Sequence, residues 1–232
     1  LHLSIRRQRQ MCIRDSSLTR KKEELIGKKV RMYVCGVTVY DRPHLGHALS
    51  TVTFDVLHRY LEFIGHKVIR VQNFTDVDDK IIDKARELKI SPIEVAEKYI
   101  KAFFQDMDEL GVRRADVHPM ATEDMSEIIN LIKTLVHKNA AYETNGSVYF
   151  DINYDKGYGR LSRRKLNEML ENTRTQSEPG KRNPADFALW KGAKPEEIHW
   201  QSPWGLGRPG WHIECSAMAQ RYLGDTFDIH GG

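Results

Sequence analysis

The string His44-Leu45-Gly46-His47 sets two imidazoles three residues apart around a glycine. Imidazoles so placed can donate hydrogen bonds to phosphoryl oxygens as negative charge builds at an α-phosphate. Gly46 lets a ligand approach the backbone closely. A helix starting here would add free N–H groups and the positive end of its dipole. Ordinary loop histidines fit the same four residues, and so short a motif does not decide between the two readings. Cys35 and Cys215 lie far apart without a CxxC, so cysteine spacing supplies no metal-site pattern. Two lone cysteines are more often buried small hydrophobes than metal ligands. Asp76, Asp78 and Asp79 could hold magnesium or form an acid–base pair, but Asp at a helix start is ordinary capping, and Asp78 or Asp79 is read as a cap.

These groups need elements to hold them. Val30, Met32 and Val34 alternate with Arg31, Tyr33 and Cys35, the period of a half-buried strand. Gly36 to Gly46 reads as a loop punctuated by Pro43. A helix follows over 48–64, with Val52, Val56, Tyr60 and Phe63 on one face, Leu49, Leu57 and Leu61 nearby, and Gly65 as its stop. Lys67–Asn73 is a second strand. Strand, helix, strand in this order is a βαβ unit with a parallel sheet, which puts the histidine pair between the first strand and its helix.

Beyond it, a helix begins near Asp78. Another opens on Ser91-Pro92-Ile93-Glu94, with a capping serine, proline at the first helical position and glutamate three residues on, and runs to about Leu110. A further helix starts at Thr122, with Ile128, Leu131, Ile132, Leu135 and Val136 as its apolar face. Asn145-Gly146 between strand-like flanks signals a hairpin. Residues 153–182 are loop-rich and carry Arg160, Arg163, Arg164, Lys165, Arg174, Lys181 and Arg182, either a solvated face or a contact for a phosphate backbone. No repeat or low-complexity tract is present.

The chain has 232 residues, 40% hydrophobic and 29% charged, enough for one or two domains with a core. No apolar run approaches the roughly 20 residues that cross a bilayer. A sequence pI near 8.9 suggests nucleic acid. However, residues 1–31 hold ten basic and three acidic side chains, against 26 and 29 in the remainder, so the body itself is not basic. Leu1–Ser16 does not read as a folded element, and a foreign scar is preferred over a transit peptide. Three scattered cysteines point to a reducing compartment.

The longer context carries a resemblance. Met32-Tyr33-Val34-Cys35-Gly36-Val37-Thr38-Val39-Tyr40-Asp41 with His44-Leu45-Gly46-His47 resembles the start of a class I aminoacyl-tRNA synthetase. Asn73-Phe74-Thr75-Asp76-Val77-Asp78-Asp79-Lys80, the run Lys181–Lys191, the run Ser202–Met218 and Phe227-Asp228-Ile229-His230-Gly231-Gly232 are similar to the cysteinyl-tRNA synthetase family specifically. The resemblance runs from about residue 30 to the last residue.

That resemblance implies an α/β fold: a Rossmann-type parallel-sheet core interrupted by a connective-peptide insertion. The corresponding division is an extension over 1–29, the first half of the core over 30–112, the insertion over 113–200, and the start of the second half over 201–232. It implies ATP-dependent activation of L-cysteine and transfer to tRNA(Cys), in the cytoplasm, by a protein expected to be monomeric. His44 and His47 would act on the phosphates, with Gly36, Thr38, Gly46 and His230 around the nucleotide, and Thr75 and Trp211 around the cysteine. Cys35 and Cys215 would be two of four ligands to a zinc ion that binds the substrate thiolate, and magnesium would accompany ATP. Zinc suits the task, because a soft thiolate is distinguished from a hydroxyl electronically where shape discriminates poorly. The remaining His and Glu ligands, the second class I signature and the anticodon-binding domain are expected after Gly232, so the chain reads as an N-terminal fragment. Two rivals stand beside this: a cysteine ligase of mycothiol synthesis that passes cysteine to an amino sugar, and a non-catalytic fragment that keeps a pocket without turnover.

Overall fold

Alternation at residues 30–35 and again at 67–73 does produce two parallel strands. In the computed structural model, which describes residues 13–15, 21–25, 27–160, 180–195 and 197–232, β1 (Ile13–Asp15) pairs antiparallel with β2 (Lys22–Glu24). The next strand, β3 (Lys29–Thr38), pairs parallel with β4 (Lys67–Thr75), from Lys29↔Lys67 to Thr38↔Thr75. Helix α1 (Leu45–Phe63) joins the two. Then come α2 (Asp79–Leu88), α3 (Pro92–Glu109), α4 (Met125–His137), β5 (Ala141–Thr144), β6 (Ser147–Phe150), β7 (Phe187–Gly192), β8 (Trp200–Ser202), β9 (Gly205–Pro209), α5 (Trp211–Leu223) and β10 (Ile229–Gly231).

The chain forms two compact units. One contains Lys21–Asp124 and Met218–Gly232, and the other Met125–Ala217. In the first, β10 lies beside β3 with Ile229↔Met32 and His230↔Tyr33, giving a parallel sheet in the order β10-β3-β4. Isolated parallel bridges Val71↔Val117 and Phe74↔Met120 continue pairing beyond β4. One core cluster gathers Val30, Met32, Val34, Val68 and Ile229 with Leu61 of α1. Another packs Phe74 against Ile81, Val95, Tyr99 and Phe103 of α2 and α3. In the second unit the strands run in the order β5-β6-β7-β9-β8, all antiparallel. The hairpin at Asn145-Gly146 has both residues at positive φ, 50° and 73°, as its two-residue turn demands.

Several expectations change. The segment 1–16, read as unfolded, contributes a three-residue strand at Ile13–Asp15, too short to show a period. Gly36 is not the start of a loop: β3 continues to Thr38 through an irregularity between Val34 and Val37. The reason is close approach. A Cβ on Gly36 would stand 1.4 Å from the Asn73 carbonyl oxygen, so only glycine lets β3 pass.

Helix α1 begins at Leu45 rather than 48, and its apolar stripe faces outward: Leu49 is 70% exposed, Val56 59% and Phe63 80%. The face turned to the sheet is partly polar, with Thr51, Asp55 and His58 buried beside Leu61. The buried partner is Arg70 of β4, whose Nη1 lies 3.6 Å from Asp55 Oδ1, while Arg59 Nε donates to Asp55 Oδ2 at 2.8 Å. Burying Arg70 without Asp55 would leave an uncompensated charge, so the pair sets the rotation of the helix. Thr122 does not start α4. Its backbone N–H and hydroxyl donate to Asp76 instead, and the helix starts at Met125.

Candidate functional site

The expected site residues of the first unit cluster where β3 and β4 end, the edge of a parallel sheet at which ligands of open α/β folds bind. Helix α1 emerges there with His44 as its N-cap, in extended conformation (φ −109°, ψ 173°). Gly46 N–H donates to His44 Nδ1 at 3.1 Å, and His44 N–H donates to His47 Nδ1 at 3.4 Å. Each ring thus accepts through Nδ1, so a neutral imidazole carries its proton on Nε2. The rings stack with centroids 3.8 Å apart and planes 19° from parallel. The N–H groups of His44, Gly46 and His47 are taken up within the turn, so what the turn presents is the dipole's positive end with two Nε2–H donors. A Cβ on Gly46 would crowd His44 at 2.9 Å, so glycine keeps this turn open. Burial, then the neighbouring His44 and Lys80 charges, lower the His47 pKa.

Thr38 and Thr75 are direct partners across the strand ends. Thr38 is half-buried and Thr75 buried. Asn73 Oδ1 accepts from Gly36 N–H at 2.8 Å and from Tyr33 Oη at 3.0 Å, tying β3 to β4. His230 on β10 sits edge-on to Tyr33, centroids 5.5 Å apart, and 5.8 Å from Phe227. Burial lowers its pKa as well. Sequence reasoning assigned nothing to Tyr33 and Phe227; their types were visible, but only the β10–β3 pairing brings them to His230.

The aspartates divide as capping predicts. Asp78 caps α2, its Oδ1 accepting from Lys80 N–H at 3.0 Å. Asp76 is buried on Thr122, and desolvation raises its pKa. Trp211 and Cys215 belong to the second unit, where α5 begins; Trp211 is 56% exposed, with its ring 5.6 Å from that of His212. Cys35 is half-buried on β3 and Cys215 half-buried on α5. Among the described residues no three metal-ligating side chains come together. Arg163, Arg164, Lys165 and Arg174 lie outside the described residues. Of their neighbours, Arg160 and Arg182 are exposed and Lys181 half-buried, with Arg182 over the Tyr142 ring at 4.1 Å and Lys181 over Tyr149 at 5.5 Å.

A family model described as the tRNA synthetases class I (C) catalytic domain matches residues 21–232. The chain belongs to this family. Similar curated proteins are the cysteine--tRNA ligases of Thermococcus gammatolerans (55% identical over 220 residues, 94% of this chain and 46% of that protein), Syntrophobacter fumaroxidans (54%, 94% and 45%) and Carboxydothermus hydrogenoformans (55%, 94% and 47%). The chain spans about half the length of these relatives. A solved ternary LeuRS–tRNA–LeuAMS complex from Agrobacterium radiobacter K84 has a TM-score of 0.46 at 19% identity, over 54% of this chain and 16% of that one, a likeness too slight to bear on function. For a member of the family, the parallel sheet of the first unit is the α/β core. No helix among the described residues is long and apolar enough to cross a membrane.

Proposed function

We propose that, within a longer chain, this catalytic region activates L-cysteine with ATP and passes the cysteinyl group to tRNA(Cys), in the cytoplasm. The cysteine carboxylate attacks the α-phosphate, cysteinyl-adenylate forms and pyrophosphate leaves. Its main support is the first turn of α1, where two stacked imidazoles are held through Nδ1 and keep their Nε2–H donors together at the positive end of the helix dipole. Identity near 55% to cysteine--tRNA ligases supports the choice of amino acid. His44 and His47 would donate to phosphate oxygens as charge builds in the transition state. Gly36, Thr38 and Gly46 would border the nucleotide beside His230, and Thr75 the amino acid. Catalysis is positioning and electrostatics, and no protein nucleophile is needed. Magnesium would accompany ATP.

We further propose that the second unit is the inserted element, since the chain leaves the first unit after Asp124 and re-enters it at Met218. Cys35 and Cys215 are the side chains of this chain that would serve zinc in such a reading. Among the described residues no group of three metal-ligating side chains comes together. The test is aminoacylation by the longer chain: tRNA(Cys) should accept L-cysteine. Transfer to an amino sugar with tRNA left uncharged would overturn the assignment.

A further inference from the structure

Two helix N-termini leave the same sheet edge. Helix α1 starts after Thr38 and α2 after Thr75, and these two threonines are paired. The first turn of α2 carries Lys80. Its ammonium lies over the Tyr40 ring, 5.0 Å from the centroid, and Tyr40 lies just past Val39 at the end of β3. Neighbouring cations are neutralised: Lys84 by Glu87, Arg86 by Asp83 and Arg42 by Asp106. No carboxylate among the described residues pairs with Lys80. Its charge nevertheless reaches His47, where it disfavours a second cation. A flexible lysine held on an aromatic face next to a pair of imidazole donors keeps a full positive charge available for an anion.

We propose that Lys80, positioned by the Tyr40 ring, is a further phosphate-binding residue of this site and engages the polyphosphate of the nucleotide whose α-phosphate His44 and His47 address. The inference rests on the ATP-dependent reading above and adds a residue to it. Lysine suits this place because it acts as a point charge that can follow the phosphates as they separate, where a bidentate arginine would fix one geometry.

The test is binding of ATP and of adenosine to the wild-type chain and to Lys80→Met, Lys80→Arg and Tyr40→Leu. The proposal expects Lys80→Met to weaken ATP about tenfold while adenosine affinity is unchanged. Lys80→Arg should restore most of the loss, and Tyr40→Leu should give a smaller loss confined to ATP. Equal ATP affinity in wild type and Lys80→Met would overturn the role of Lys80 and leave the reading of the site standing. Parallel loss of ATP and adenosine would make Lys80 merely structural and overturn it too. A wild-type chain that binds neither molecule would overturn both the role and the nucleotide site.

Discussion

His44 and His47 stack nearly parallel, 3.8 Å between centroids, and each ring takes a backbone N–H on Nδ1. The pair is thus locked by its own helix turn, with both Nε2–H donors free for a ligand. Removing one such donor costs about a hundredfold in transition-state stabilisation. His44→Ala and His47→Ala should each lower the rate of adenylate formation by about that factor, with little change in cysteine KM. Each ring orients the other, so the double variant should fall short of the product of the single losses. Pre-steady-state kinetics of the longer chain would measure this. Full additivity would mean that the stacking does not matter.

Gly36 sits where a Cβ would meet the Asn73 carbonyl at 1.4 Å. Gly36→Ala must push β3 from β4 and strain the Asn73 bonds to Gly36 and Tyr33. We expect a loss of at least about 3 kcal/mol in unfolding free energy. Urea unfolding of the variant checks it, and a loss below about 1 kcal/mol would show that the strands separate there without strain.

His118 is held neutral. Its Nδ1–H donates to the Gln72 carbonyl at 2.9 Å, its Nε2 accepts from Ala115 N–H, and burial lowers its pKa to about 4. A depressed folded-state pKa stabilises the fold fully above the unfolded value near 6.5, and that stability is lost as pH falls towards 4. Between pH 7 and 4.5 the loss is about 2–3 kcal/mol from this residue. His118→Phe, which keeps the stacked contact with Phe74, should flatten the pH dependence of unfolding by that amount. An unchanged slope would place the acid sensitivity elsewhere.

The outward stripe of α1 gives a contrast in stability. Leu49→Gln and Phe63→Gln should change unfolding free energy by no more than about 0.5 kcal/mol. Leu61→Ala, on the buried side, should cost about 2–5 kcal/mol. Thermal unfolding distinguishes them. A large loss at Leu49 would mean that the stripe is packed in solution.

These same residues mark how far sequence reading reaches. The βαβ order, the Ser91 capping box, the Asn145-Gly146 hairpin and the place of His44 and His47 were legible, because each depends on local spacing. The rotation of α1 was not. Its period identified an apolar stripe, but the side that faces the sheet depends on Arg70, a residue of another element whose burial demands Asp55. Gly36 failed for a related reason: a glycine that marks a turn and one that admits a neighbouring carbonyl look alike until the strands pair. Tyr33, Phe227 and Lys80 stood inside recognised motifs, yet their neighbours come from strand register, which no spacing along the chain displays.

The most direct measurement is pyrophosphate exchange into ATP by the longer chain, with and without L-cysteine and with L-serine as control. Exchange should require cysteine, ignore serine, and fall about a hundredfold in His47→Ala. Exchange that proceeds equally without cysteine, or that survives His47→Ala undiminished, would contradict it.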